Sequence, residues 1–264
     1  MAVVDSLSEW NVLSTRIGIA GVLALCGLSV LAIATGRLKV LAVSWARGLV
    51  WGYGLASGAM VTSAAVFLVP QAIGYDPKIG GFGVAAGLLA GFGAHTIGHR
   101  LTHLDTAFDT TAAEITAHAL SAGAIIGLVY ATLPDLGLLL GLAIVSHKGP
   151  AGYAAARRLA MNGKSVSILL LPAAGVGLTA IPASVLPIPE LPALNAAIFG
   201  FASGVFLHVA MDFLPECEAG SEVGEVAALA GDAHDRLDRL RTHAVASTAL
   251  GGGAVLLAWA SLAL

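Results

Sequence analysis

The sequence predicts an all-α, polytopic membrane protein built from eight transmembrane helices. Of its 264 residues, 57% are hydrophobic and only 11% are charged. The mean hydropathy of +0.87 lies far above that of soluble domains. A helix needs roughly 20 consecutive apolar residues to cross a bilayer. We expect residues 1–264 to form a single transmembrane domain. Eight such apolar stretches lie near 17–36, 48–73, 80–99, 112–132, 136–158, 165–187, 193–214 and 242–264.

The distribution of basic residues predicts the orientation of these spans, whose even number places both termini on one side. If that side is outside, ten Lys and Arg residues fall in inner loops and only two, Arg16 and Lys78, in outer segments. The ten are Arg37, Lys39, Arg47, Arg100, Arg157, Arg158, Lys164, Arg236, Arg239 and Arg241. Since inner loops are enriched in Lys and Arg, we expect a multi-pass protein of the cell membrane with both termini outside.

Charge and cysteine content exclude several classes of protein. The net charge is −3 and there is no basic block, which argues against nucleic acid as a partner. Cys26 and Cys217 show no paired spacing, so neither a disulfide framework nor a thiolate metal cluster is expected. The first 16 residues, with Asp5 and Glu9, do not resemble a cleaved signal peptide. Seven acidic residues between 216 and 238 predict a solvated connector before the last span.

Individual spans carry features that predict how they pack. Glycines in the first span, and Gly83, Gly87 and Gly91 at four-residue intervals in the third, predict close contact with other helices. The sixth span contains Pro172 and Pro182, which predict a kink and a break near its outer end.

The second and seventh spans share a sequence pattern. Ala-Ser-Gly at 56–58 is followed by Phe-Leu-Val-Pro at 67–70, and Ala-Ser-Gly at 202–204 is followed at the same separation by Phe-Leu-Pro at 213–215. Only the last part needs a one-residue gap. Because the two spans run in opposite directions, this pattern is typical of an inverted repeat. We therefore expect a 3+2+3 arrangement in which spans 1–3 mirror spans 6–8 around spans 4 and 5.

Spans four and five carry the polar residues on which the functional prediction depends. His118 and Ser121 lie three residues apart on one face of span four, and His147 and Lys148 lie near the middle of span five. A polar side chain at bilayer depth is costly unless it is paired, so such residues tend to mark an ion or substrate path. Pro150 frees a backbone carbonyl one turn earlier, which can face the same cavity.

Two further groups of residues have ligand spacing. His95, His99 and His103, the inner histidine row, lie at i, i+4 and i+8 from the inner end of the third span. Such a row can chelate a divalent metal, or its members simply tolerate a wet boundary. His208 and Asp212 lie one turn apart in the seventh span. They can bind a cation, relay a proton or satisfy each other.

Two motifs frame the polar residues of spans four and five. They read His-Ala-Leu-Ser-Ala-Gly at 118–123 and His-Lys-Gly-Pro-Ala-Gly at 147–152. They resemble the His-Asn-x-x-Asp/Glu-Gly and His-Lys-x-Pro-Glu-Gly motifs of the ZIP family of divalent metal transporters, and segment 202–216 is similar to that family's seventh span. The resemblance implies eight spans, outer termini, a histidine-bearing inner loop after span three, and a binuclear metal site on spans four and five.

The chain departs from the family at its ligand positions. Ala122 and Ala151 stand where the family has carboxylates. By matching positions, His118 and His147 keep one imidazole each from the principal site, and Lys148 stands where some members bind a second ion. An ammonium there would replace that ion electrostatically, so we expect one metal rather than two.

The leading interpretation is ZIP-like transport of a divalent metal ion, such as zinc or iron, toward the cytoplasm. His118 and His147 would coordinate the ion between spans four and five. Because zinc prefers about four ligands, Ser121, His208 and Asp212 are the candidates to complete its shell. The inner histidine row would receive the ion on the cytoplasmic side. The metal is then cargo, and neither a cofactor nor enzyme activity is expected, since no base with an orienting partner is evident.

Three alternatives stay open. The same fold can carry another cargo, since Lys148 and the histidines suit an anion or a small polar solute. A member that no longer transports would act as a metal sensor or partner protein through its inner histidine row. In the third alternative, His118 and His147 are buried polar residues that serve helix association alone. The chain is expected to contact the lipid bilayer, and the sequence leaves open whether it forms a homodimer.

Overall fold

The computed structural model of the chain describes residues 46–101, 110–132, 148–149, 151–153, 155–156, 159–160, 163–212, 214–215 and 233–263. Over this part the structure is helical and contains no strand. Four helical stretches are long and apolar enough, by length and composition, to cross a membrane: Arg47–Tyr75, Val166–Ser184, Pro192–Asp212 and Asp235–Ser261. They coincide with predicted spans two, six, seven and eight. The all-α class is therefore confirmed for the described residues, and the four stretches agree with a multi-pass membrane protein.

The other predicted spans are described to different extents. The third and fourth correspond to the helices Pro77–Leu101 and Thr110–Thr132, and the fourth has a shorter apolar stretch, Thr116–Thr132. The fifth is helical wherever it is described, between residues 148 and 160. The first lies outside the described residues.

Within the described residues, seven α-helices can be delimited. They are α1 (Ala46–Ser63), α2 (Val69–Tyr75), α3 (Pro77–Leu101), α4 (Thr110–Thr132), α5 (Leu170–Ser184), α6 (Pro192–Asp212) and α7 (Ala233–Ala263). A π-helical turn, Ala64–Leu68, joins α1 to α2, and a 3₁₀ turn, Val166–Leu169, leads into α5. Helix α5 contains Pro182 and ends at Ser184, in agreement with the break predicted there.

The π-helical turn adds one residue to an otherwise continuous helix. It adjoins Val69, the residue that the second span has between Phe-Leu and Pro and that the seventh span lacks. Ala64, Phe67 and Leu68 are buried, so this turn packs into the interior. The one-residue gap between the two similar spans therefore corresponds to a local widening of the helix.

A single residue, Asp76, connects α2 to α3. Its backbone is extended, with φ −159° and ψ 113°. Its carboxylate oxygen Oδ1 accepts hydrogen bonds from the backbone N–H groups of Lys78 (2.9 Å) and Ile79 (3.0 Å). These are donors that the first turn of a helix leaves without partners, and Pro77 opens the helix where no donor is needed. The second and third spans thus form a hairpin with a one-residue connection.

The glycine seam predicted in the third span is confirmed, and its partner is α6. A Cβ atom on Gly87 would meet the carbonyl oxygen of Phe201 and would lie 3.0 Å from Cα of Gly204. A Cβ atom on Gly204 would lie 2.6 Å from the backbone nitrogen of Leu88. The backbones of α3 and α6 are therefore in contact, which only small residues allow.

Two more helix pairs, α1 with α7 and α4 with α5, pack as extensively as α3 with α6. In the first pair, a Cβ atom on Gly251 would meet the carbonyl oxygen of Leu55. In the second, the Thr179 hydroxyl of α5 donates a hydrogen bond to the carbonyl oxygen of Leu120 on α4, at 2.6 Å. Both contacts bring one helix onto the backbone of the other.

Helix α6 lies at the centre of the described structure and contacts α1, α2, α3 and α4. Its Phe199 is fully buried and stacks on Tyr75, with ring centroids 5.9 Å apart and an interplanar angle of 7°. Buried apolar residues of α1, the π-helical turn, α2, α4, α5 and α6 form one cluster. The polar side chains on these helices, such as His118 on α4 and His208 on α6, therefore lie beside an apolar interior.

The last helix begins at Ala233, well before the predicted start of its span near residue 242. Leu237 and Leu240 are buried and form an apolar cluster with Val50 and Tyr53 of α1. The charged residues between and beside them are exposed, so this turn is amphipathic and its average hydropathy is low. From residue 233 onward the predicted connector is therefore helical, with exposed charged residues and two buried leucines.

Replacing Gly87 with alanine tests the contact between α3 and α6. The new methyl group would meet backbone atoms, which cannot rotate away, so we expect Gly87→Ala to destabilise the protein by about 1–3 kcal/mol. Gly81 is the control, because nothing lies within 4 Å of its Cβ position. Thermal unfolding in detergent should show a lower melting temperature for Gly87→Ala but not for Gly81→Ala. Equal melting temperatures would contradict the backbone contact.

Candidate metal centre

The predicted site residues fall into two groups. Those whose side chains the structure describes are His118, Ser121, Lys148, His208 and Asp212. Those outside the described part are His147, His103 and the side chains of His95 and His99. The fifth-span imidazole and the inner histidine row therefore stay predictions.

His118 is positioned by the packing of α4 on α5. Its neighbour Ala119 is buried, with its methyl group 3.1 Å from the Cβ position of Gly175 on α5. The adjacent His118 is half-buried, and both Lys148 and His208 lie within electrostatic range of its imidazole. Residues from spans four, five and seven thus lie near enough to influence one another electrostatically.

Lys148 is buried, with 4% of its surface exposed. Within the described part of the chain, no carboxylate forms an ion pair with it. A buried ammonium loses most of its hydration, and its free energy depends on the charges brought close to it. Lys148 therefore makes the region near His118 electropositive.

His208 and Asp212 form the contact that their spacing predicts. His208 Nε2 lies 3.3 Å from Asp212 Oδ2. The imidazole is nearly buried, with 11% of its side chain exposed, whereas the Asp212 carboxylate is 42% exposed at the end of α6. The pair therefore links the interior to the accessible end of this helix.

Ser57 of α1 holds the end of α6 that carries this pair. Its hydroxyl donates a buried hydrogen bond to the carbonyl oxygen of Ala210, at 2.7 Å. In a continuing helix that carbonyl would accept from Leu214, but the Leu214 N–H bonds to Met211 instead, at 3.1 Å. The Ser57 hydroxyl thus takes the place of the Leu214 N–H as a donor to the Ala210 carbonyl, which lies between His208 and Asp212. The Ala-Ser-Gly repeat is visible in the sequence, but it does not predict this role of Ser57.

Ser121 contributes less to the site than its spacing suggested. It is exposed, and its hydroxyl donates to the carbonyl oxygen of His118 in its own helix, at 3.0 Å. Among the described residues, no three His, Cys, Asp or Glu side chains form a group that could hold a metal. The described donors are the imidazoles of His118 and His208 and the carboxylate of Asp212. A shell of four, as zinc prefers, needs further donors.

Comparison with known proteins leaves the family of this chain undetermined. The sequence matches no protein-family model and no curated protein. The ZIP resemblance thus rests on the motif residues of the sequence alone.

Ser57→Ala tests whether α1 caps the end of α6. The substitution leaves the buried Ala210 carbonyl without its donor, so we expect a loss of about 1–3 kcal/mol of stability. Ser203 is a matched control at the equivalent position of the repeated pattern, because its hydroxyl donates within its own helix to Phe199, at 2.7 Å. Thermal unfolding in detergent should show the larger loss for Ser57→Ala. The reverse order would contradict the capping role.

Proposed function

We propose that this protein is a ZIP-like carrier that moves a divalent metal ion, zinc, iron or similar, across the cell membrane toward the cytoplasm. The observation that carries this proposal is that Lys148 and His208, from two other spans, lie close enough to His118 for their charges to act on its imidazole. Polar side chains are costly at membrane depth, and their convergence in an otherwise apolar interior is typical of an ion path.

The chemistry of the described donors suits a metal that binds and leaves again. Neutral imidazoles are ligands for zinc and iron, and carboxylates supply the charge that offsets loss of hydration. Among the predicted site residues that the structure describes, the carboxylate is that of Asp212, which sits at the accessible end of α6 and contacts His208. His147, next to Lys148 in sequence, is the further imidazole that we propose as a ligand. The inner histidine row would accept the ion after Asp212.

The proposed architecture is the 3+2+3 arrangement with eight spans and outer termini. Two helix pairs support its inverted repeat. A Cβ atom on Gly87 would meet the carbonyl of Phe201, and one on Gly251 would meet the carbonyl of Leu55. Phe201 and Leu55 both directly precede Ala-Ser-Gly in the repeated pattern. In such a repeat, span three corresponds to span eight and span seven to span two. The contact of α3 (span three) with α6 (span seven) therefore corresponds to the contact of α7 (span eight) with α1 (span two).

The decisive experiment is metal uptake into proteoliposomes that contain the purified protein. We expect His118→Ala and His208→Ala each to reduce uptake of ⁶⁵Zn²⁺ strongly, because each removes one of few imidazole ligands. His243→Ala is the matched control, since that imidazole lies against Trp51, with ring centroids 6.1 Å apart, on a different helix pair.

Two outcomes would contradict the proposal. One is wild-type uptake no faster than in empty liposomes for zinc, iron and manganese. The other is undiminished uptake when His118 and His208 are both replaced, with the melting temperature unchanged. The second outcome would leave these imidazoles as polar groups of helix packing.

A second candidate function, transport of a small anion, is favoured by one observation, the burial of Lys148 without a described carboxylate partner. A buried ammonium beside two imidazoles attracts an anion as readily as it repels a dication. The two candidates therefore predict opposite effects of the Lys148 charge.

Lys148→Met removes this charge and keeps most of the side-chain volume. If the cargo is a metal, we expect zinc to bind about ten-fold tighter or more, because the repulsion from the ammonium is gone. If the cargo is an anion, uptake of chloride or phosphate should be lost instead. Calorimetry and liposome uptake separate the two results, with Lys164→Met at an exposed position as the control. No effect on either cargo would place Lys148 outside the path.

A further inference from the structure

Gly91 of α3 faces the ring of His208 directly. A Cβ atom on Gly91 would lie 2.6 Å from Cγ and 2.9 Å from Cβ of His208, and closer still to its Cδ2. Carbon atoms in contact are normally about 3.5–4.0 Å apart. With His208 in its present position, only glycine fits at residue 91.

The role of Gly91 differs from that of the other seam glycines. Cβ atoms on Gly83 and Gly87 would lie 3.1 and 3.0 Å from the Cα atoms of Gly200 and Gly204, so these two allow the backbones to approach. At Gly91 the three nearest atoms all belong to one side chain, the imidazole-bearing His208. Gly91, the third glycine of the seam, therefore leaves space for the imidazole ring of His208 rather than for the backbone of α6.

The imidazole of His208 is consequently held from two directions. The Cγ–Cδ2 edge rests on the α3 backbone at Gly91, and Nε2 lies 3.3 Å from Asp212 Oδ2. A hydrogen bond from Nε2 to a carboxylate places the ring hydrogen on Nε2, which in a neutral imidazole leaves the lone pair on Nδ1. A carboxylate that bonds one imidazole nitrogen in this way orients the other toward a metal.

We propose that Gly91 is a positioning residue of the metal centre, which fixes the orientation of the His208 imidazole by having no side chain. The inference rests on the proposed function for the role of His208 as a ligand. It adds that α3, which supplies no described ligand itself, sets the direction in which that ligand points.

The test compares Gly91→Ala with Gly93→Ala, a glycine of the same helix with nothing within 4 Å of its Cβ position. Calorimetry with Zn²⁺ on the full chain in detergent should show binding about 10–100-fold weaker for Gly91→Ala, the effect expected when the support of a metal ligand is lost. Gly93→Ala should bind as the wild type does. Equal affinities for all three proteins would overturn the proposal.

Combining Gly91→Ala with His208→Ala separates positioning from general packing. Once the ring is absent, the alanine methyl no longer meets Cγ or Cδ2, so the second substitution should add no further loss of zinc affinity. Losses that simply multiply would show that Gly91 acts independently of His208. If Gly91→Ala alone fails to fold, combining it with His208→Gly, which also removes the Cβ atom 2.9 Å away, should recover the melting temperature, and failure to recover would also overturn the proposal.

A measurement without metal distinguishes this inference from the proposed function. In protein with ¹³C-labelled histidine, Gly91→Ala should move the His208 ring resonances in the NMR spectrum, whereas Gly93→Ala should leave them in place. Unmoved resonances in a folded Gly91→Ala protein would refute the positioning role even if zinc is transported. Moved resonances in a protein that binds none of zinc, iron and manganese would refute the proposed function and retain the positioning of His208.

Discussion

Direct contact between helix backbones is the constraint on which the rest of this structure depends. Apolar side chains gain little by leaving lipid for a protein interior, so helices in a membrane associate through close fit. Gly87 and Gly204 supply that fit between α3 and α6. The position of α6 is set by this contact, by the Ser57 hydrogen bond and by the stacking of Phe199 on Tyr75. These three contacts therefore determine where His208 and Asp212 of α6 lie in the candidate centre.

The described residues of the candidate centre carry few negative charges. Lys148 is buried without a described carboxylate, Asp212 lies at the accessible edge, and alanines occupy positions 122 and 151. A site with few anionic ligands and a fixed cation holds a dication weakly. Transport requires binding that is favourable enough for entry and weak enough for release. Weak holding of this kind is what the proposed carrier requires.

How much of the structure could be predicted from the sequence depends on how local each feature is. The glycine seam of α3 and the contact of His208 with Asp212 follow from four-residue spacing within one helix. The approach of His118 to His208 depends on how α4 packs on α6, which no spacing within either helix encodes. The hydrogen bond of Ser57 was missed for the same reason, since its acceptor lies 153 residues away. The sequence does not predict the start of α7 at Ala233, because the mean hydropathy of this segment averages buried leucines with their charged neighbours.

The one-residue connection at Asp76 limits how this protein can move. Its carboxylate is engaged by the first turn of α3, so the hairpin of α2 and α3 has no slack in which one helix could slide along the other. Helix α3 packs in turn on α6. Helices α2, α3 and α6 therefore form one closely packed group. A carrier that opens alternately to the two sides of a membrane rocks one bundle against another. For the proposed carrier, such a motion would take place outside this group of helices, as where α4 meets α3 and α6.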